Sequence, residues 1–259
     1  MIVKTEDFSR LCEIVAQLRA PGGCPWDREQ THSSLVPALL EEAYEVVDAI
    51  RRSDDANLRE ELGDLLLQVV MHAEIASEED RFTIENVSRD VADKLVRRHP
   101  HVFGESEARD SDAVLKQWDA IKRTEEKSSG DGYLSGLTRA LPALMFAQKA
   151  QTRAARVGFD WNEVQDVVAK VDEELAEAKE AMASGGAEAI ADEMGDLLFA
   201  VVNLVRKYDL DAETVLAAAT EKFITRFHEV ERELEKRGQK LGVADLPTMD
   251  AIWNQVKRS

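Results

Sequence analysis

Apolar residues along this chain recur at the i, i+3, i+4 and i+7 spacing of a helix face in nearly every segment, with little strand-like alternation. The pattern predicts an all-α fold. Helices are expected from Asp7 to Arg19, Ser34 to Arg52, Asn57 to about Ala76, Thr83 to just before Pro100, and Ser111 to Lys127. A second series follows at about 138–156, 161–183, 188–208, 211–237 and 249–257, with Gly185 and Gly186 dividing two of its members. Pro21 stops the first helix and GGCPWD reads as a loop. Asn57 with Glu60 resembles a capping pair. SSGDGYLSG, at 128–136, is the one stretch of linker composition. The expected organisation is a helical domain over 1–127, a linker over 128–136 and a related helical domain over 137–259.

An acidic cluster occurs twice in a fixed register. Glu41, Glu42 and Glu45 are followed by Glu61 and Asp64. Glu173, Glu174 and Glu177 are followed by Glu193 and Asp196, each 132 residues after its counterpart. Gly63 and Gly195 hold the same slot inside ELGD and EMGD, ahead of the apolar runs LLLQVV and LLFAVV. Two copies fit an internal duplication better than a solenoid. Residues three apart share a helix face, so Glu42 projects with Glu45, and Glu61 with Asp64. The short connection at 53–57 makes the two helices antiparallel neighbours and turns both pairs toward one point. Two unit charges 4 Å apart repel by about 4 kcal/mol at an effective dielectric of 20. Protonation or a cation must relieve such a cluster, and a hard divalent ion with oxygen ligands suits it. Iron carboxylate bundles use Glu-x-x-His pairs, which are missing, so Mg²⁺ is expected, with Mn²⁺ as a possible substitute. One EExxE alone reads more often as solvated surface. Its repetition against apolar runs favours the metal. A helix-interior Gly costs about 1 kcal/mol against Ala, and its presence in both copies suggests close helix approach.

Charge and composition narrow the partners. The 259 residues suffice for two domains, each with its own core. With 51 acidic against 33 basic residues the net charge is −18, which repels nucleic acid and anionic membranes at long range. Cys12 and Cys24 form no CxxC and read as two thiols in a reducing compartment. MIVKTEDFSRLCEIV lacks a signal-peptide apolar core, and no run reaches the roughly 20 apolar residues of a membrane span, so a cytoplasmic location is expected.

Basic residues indicate what the cation would act on. Lys222 and Arg226 are i,i+4 in KFITRF, and Lys94 and Arg98 stand 128 residues earlier in KLVRRH. Trp253 and Lys257 in IWNQVK match Trp118 and Lys122 in QWDAIK, 135 residues earlier. Cations for phosphate oxygens with a Trp platform for a base make a nucleotide pocket. Taken singly, a helix Lys/Arg pair reads more often as surface and a Trp more often as core; their recurrence in both halves brings the pocket level with that reading. His99 and His101 flank Pro100 without further zinc ligands, and neither a P-loop nor a nucleophile elbow is present.

EExxE followed by ExxD, with GGCPWDREQTHSSL, LLEEAYEVVDAI, EELGDLLLQVVMHA, KLVRRHPHVFG and GFDW, resembles the two-domain MazG family of all-α nucleoside triphosphate pyrophosphohydrolases over essentially the whole chain. The resemblance implies Mg²⁺-dependent cleavage of NTPs and dNTPs between the α and β phosphates, with broad specificity and a role in cleaning the nucleotide pool. It implies homodimers in which two chains complete four-helix-bundle active sites, and a C-terminal half that carries most of the activity. Residue by residue, Glu174, Glu177, Glu193 and Asp196 match the metal ligands. Glu173 fits a second-metal ligand or a base orienting the attacking water. Lys170, Lys222 and Arg226 match triphosphate contacts and Trp253 the nucleoside contact, with Lys257 nearby. Glu41, Glu42, Glu45, Glu61, Asp64, Lys94, Arg98, Trp118 and Lys122 would form a second, N-terminal site, which lacks one cation because Ala38 stands where Lys170 does. A pyrophosphatase restricted to one nucleotide such as dUTP, and an inactive metal-binding scaffold, are the competing readings. The intact acidic and basic sets favour the enzyme.

Overall fold

The computed structural model describes residues 5–106, 110, 113–114, 117–118, 120–121 and 132–258, and within these it contains helices and no strand. The chain divides into two compact units, Met1–Lys127 and Ser128–Ser259. No helix of the described residues is long and apolar enough to cross a membrane.

In the first unit α1 spans Thr5–Arg19, α2 Pro25–Glu29, α3 Val36–Arg52, α4 Asp55–Glu78, α5 Ile84–Arg98 and α6 Pro100–Phe103. Helix α3 packs along α4, and α1 covers α4. Val15, Leu35, Val70, Met71 and Ile75 form the core between them. The α3–α4 turn is tight because Ser53 adopts a left-handed conformation (φ 55°) and Asp54 caps α4. Asp54 accepts the Asn57 N–H at 3.1 Å, so the expected Asn57–Glu60 cap is replaced by one starting three residues earlier. GGCPWD is not wholly loop, since Pro25 opens α2, where a missing N–H costs nothing. Arg19 locks this corner. Its guanidinium, 7% exposed, donates to both Glu78 oxygens at 2.7 and 2.8 Å and to the carbonyls of Asp27 and Gln30. Of the helix expected over 111–127, residues 113–114, 117–118 and 120–121 are described and helical, and the others lie outside the described residues.

In the second unit α7 spans Ala143–Ala155, α8 Val164–Ser184, α9 Ala187–Lys207, α10 Ala212–Lys236 and α11 Leu246–Val256. Helix α7 starts later than expected, after Pro142, which keeps the preceding residue out of the helical region. Helix α11 starts earlier, at the Asp245 cap, which accepts the Thr248 N–H at 3.0 Å. Gly185 and Gly186 break α8 from α9 as expected. A Cβ on Gly185 would lie 2.7 Å from the Ala181 carbonyl oxygen, so the turn admits only glycine. The Gln148 side chain ties α7 to the start of α10, donating to the Leu210 carbonyl at 2.8 Å and accepting the Ala212 N–H at 2.7 Å. Helices α10 and α11 share a core of Val230, Leu234 and Ile252.

The close helix approach expected at Gly63 and Gly195 is not found among the described residues. A Cβ at either glycine would meet nothing within 4 Å.

Candidate metal centre

Each helix pair delivers its acids to one point. In the first unit Glu42 and Glu45 come from α3 and Glu61 from α4. In the second, Glu174 and Glu177 come from α8 and Glu193 from α9. In each trio one carboxylate oxygen per residue lies within 4.8 Å of the others. The fourth predicted ligand stands beside each trio. The charge of Asp64 acts on Glu42, and Asp196 borders a recess with Glu174. Glu41 and Glu173 are exposed, one residue from the converging face.

The electrostatics are those of an anionic nest. Burial, then the charges of Asp64, Glu45 and Glu61, push the Glu42 carboxyl above its ordinary value. Glu45 is pushed up by desolvation and then by Glu61 and Glu41. Glu177 rises through desolvation and the charge of Glu174, with Glu193 and Glu173 adding and Lys170 opposing. Hard oxygen donors that converge in this way, with Glu42, Glu45 and Glu177 disfavoured as bare anions, fit Mg²⁺.

The two nests are tempered differently. Lys170 Nζ donates to Glu173 Oε1 at 2.8 Å and to Glu174 Oε1 at 2.7 Å, and these partners raise its pKa. Expected as a triphosphate contact, it is engaged here by the carboxylates. In the first unit its register position is Ala38, and Asn57 Nδ2 instead donates to Glu61 Oε1 at 2.7 Å. The register equivalent of Asn57 is Ala189.

The basic and aromatic residues are grouped separately. Lys222 is exposed and Arg226 half-buried on α10, and among the described residues neither pairs with the carboxylates. Trp253 packs on the Val230–Leu234–Ile252 core, 5.2 Å from the Phe223 ring, and Lys257 is exposed at the end of α11. In the first unit Lys94 is exposed, while the Arg98 guanidinium lies 5.5 Å from the Trp118 ring and His99 meets that ring edge-on. Lys122 lies outside the described residues.

Sequence reasoning passed over residues that border the second nest. Trp161, Val167, Phe199, Ala200 and Asn203, with Lys170, Glu174 and Asp196, line a recess of about 180 Å³. The one available signal for Asn203 was a lone amide inside the apolar run AVVNLV.

The MazG nucleotide pyrophosphohydrolase domain profile matches residues 30–103 and 146–230. The chain is 50% identical over 258 residues to the nucleoside triphosphate pyrophosphohydrolase of Escherichia coli K12, covering 97% of each. It is 44% identical over 250 residues to the nucleoside triphosphate pyrophosphohydrolase/pyrophosphatase MazG of Thermotoga maritima, covering 96% of this chain and 95% of that one. A crystal structure of a MazG-related protein from Thermotoga maritima aligns with 44% of the chain at 30% identity and a TM-score of 0.39.

Proposed function

Because the chain belongs to the MazG family of nucleotide pyrophosphohydrolases, we propose that it hydrolyses nucleoside and deoxynucleoside triphosphates to monophosphate and pyrophosphate with Mg²⁺, and that the second unit dominates. The observation that carries the metal reading is the convergence of Glu174, Glu177 and Glu193 within 4.8 Å, beside Asp196. Bound there, Mg²⁺ would neutralise phosphate oxygens and acidify a water. The chain's own groups do the rest. Glu173 lies outside the ligand trio, where a carboxylate can orient water or take its proton. Lys170, held between Glu173 and Glu174, would be free to contact a phosphate were Glu174 to serve an ion instead. Lys222 and Arg226 stabilise the pyrophosphate leaving group, Trp253 and Lys257 contact the nucleoside side, and specificity across bases is broad.

The same reading makes the protein a homodimer whose partner completes each bundle. The open face of Gly195 and the exposed Leu198, Phe199 and Val201 on α9 support it.

Incubation with mixed NTPs and dNTPs should yield monophosphate and pyrophosphate, and EDTA should abolish turnover. Diphosphate with orthophosphate would move cleavage to the wrong bond. Asp196→Ala should remove most activity and Asp64→Ala little; the reverse result would transfer catalysis to the first unit.

A further inference from the structure

Away from both nests, two imidazoles meet end to end. His32, in the loop at 30–35 before α3, and His72, on α4, have their Nδ1 atoms 2.7 Å apart. The ring planes differ by 6° and the ring centres stand 5.0 Å apart, the Nδ1 contact plus one ring radius at each end. The rings are therefore nearly coplanar and collinear, the geometry of an N–H···N hydrogen bond along the acceptor lone pair. A shared metal ion does not fit. Each nitrogen would stand about 2.0–2.1 Å from a zinc ion, which collinear rings at this spacing cannot provide. Arg81 Nη2 lies 2.6 Å from His32 Nε2. A guanidinium only donates, so that Nε2 is bare, the His32 proton sits on Nδ1, and His72 Nδ1 receives it. His72 then carries its own proton on Nε2, which is buried with no partner among the described residues. Donation runs one way, from Arg81 through His32 to His72, and it holds only while both rings are neutral. A further proton has two places to go. On His32 Nε2 it meets the Arg81 guanidinium, and on His72 Nδ1 it meets the His32 N–H, so either breaks a link.

We propose that the His32–His72 pair is a proton-operated clasp of the first unit, fastening the loop before α3 to α4 while neutral and releasing it on taking up a proton. The loop is knit internally, with the Thr31 N–H donating to Ser34 Oγ at 2.9 Å and the Ser34 N–H to Thr31 Oγ1 at 3.1 Å. Arg19 holds one end at the Gln30 carbonyl and buried Leu35 holds the other in the core, and His32 is the tie between them. Leu35 caps α3, the helix that brings Glu42 and Glu45 to the first nest, so the clasp steadies the entry of that helix. Charges on the neighbouring elements are directed elsewhere. On α1 Arg19 pairs with Glu78, and Glu74 of α4 is subject to both. On α3 Glu42 and Glu45 face Glu61 and Asp64, Glu85 of α5 accepts from Thr83, and Glu79 pairs with Arg81. Burial and then the charge of His32 hold His72 below the ordinary His value, as expected of a ring with no carboxylate to accept its Nε2–H. A His lowered in this way leaves stability complete above the unfolded value, about 6.5, and drains it as pH falls toward the folded value. Val164 and Leu204 stand in register with His32 and His72, so the second unit has no counterpart.

The test is made on the full chain by NMR. At pH 8 the side-chain nitrogen shifts should show His32 protonated on Nδ1 and His72 on Nε2, with a scalar coupling between the two Nδ1 atoms across the hydrogen bond. Hydrogen exchange then reads the release. The protection of the Thr31, Ser34 and Leu35 amides should fall about tenfold for each pH unit below the ordinary His value, one proton being taken up on opening. The turn before α8 in the second unit should show no such fall. The double variant His32→Gln, His72→Gln cannot titrate there, and its loop protection should be independent of pH, with the α4 core amides reporting that it is folded. His32 carrying its proton on Nε2 at pH 8 would overturn the clasp on the wild-type protein alone, whatever the variant does. Loop protection in the wild type that ignores pH, a fall of the same size before α8, or a fall that survives in the double variant would also overturn it.

Discussion

Replacing Asp160 with Asn asks whether the loop before α8 is held in place by charge. Asp160 Oδ1 is 2.6 Å from Arg206 Nη2 and its Oδ2 3.3 Å from Lys207 Nζ, with the side chain 21% exposed. Asn keeps the shape and an acceptor for Arg206 but loses the negative charge. A hydrogen bond to a charged group contributes about 1.5–3 kcal/mol, and with Arg206 still cationic the Asn contact drops from the top of that range toward its bottom as the ion pair is lost. The substitution should therefore cost about 1–2 kcal/mol, nearly all at the Arg206 contact, because the Lys207 bond is long. For a unit the length of Ser128–Ser259, that lowers the thermal midpoint by about 4–8 °C. Acid provides the internal control. Burial alone would raise the Asp160 carboxyl, but the hydrogen bond and charge of Arg206, then those of Lys207, outweigh it and hold the group below its ordinary value. An acid depressed in this way contributes stability that is complete above the unfolded Asp value, about 4, and is lost as pH falls through the folded value. The difference between wild type and Asp160→Asn, measured by urea denaturation, should be full at pH 7 and shrink at acid pH as the folded value is passed, closing where the two side chains are neutral isosteres. An equal difference at both pH values, or none at pH 7, would refute the reasoning.

Three further outcomes are expected. Mg²⁺ at a hundred times its Kd should stabilise each ion-binding unit by about 2.7 kcal/mol in scanning calorimetry, and Glu193→Gln should abolish the second unit's response while sparing the first. Leu234→Ala, in the α10–α11 core where Leu234 is 1% exposed, should cost about 2–5 kcal/mol and increase hydrogen exchange across α11. Gly195→Ala should stabilise an isolated chain by up to about 1 kcal/mol through helix propensity. If a partner helix packs on that face, the same change should weaken the dimer in analytical ultracentrifugation.

The fold was legible because helix periodicity and glycine breaks are local signals, and the site was half legible because the register of Glu42, Glu45 and Glu61 repeats at Glu174, Glu177 and Glu193. Local reading went astray where several polar residues competed for one role. Asp54 took the cap from Asn57, and the freed Asn57 side chain went to Glu61. Gly63 and Gly195 suggested packing that is not found among the described residues. The recess was illegible for a different reason. Trp161 and Asn203 are far apart in sequence and border one recess where Arg206 and Lys207 hold the Asp160–Trp161 loop, which periodicity cannot encode.

Lys170 gives the second nest a tethered counter-ion. Its ammonium bridges Glu173 and Glu174, a positive charge that cannot diffuse away, where among the described residues the first nest has the neutral amide of Asn57 at Glu61. On the proposed reading, an ion bound at the second nest would compete with that ammonium for Glu174, and the freed charge would stand beside the substrate's phosphates. The two nests would then differ in how strongly their acids call for a cation from outside.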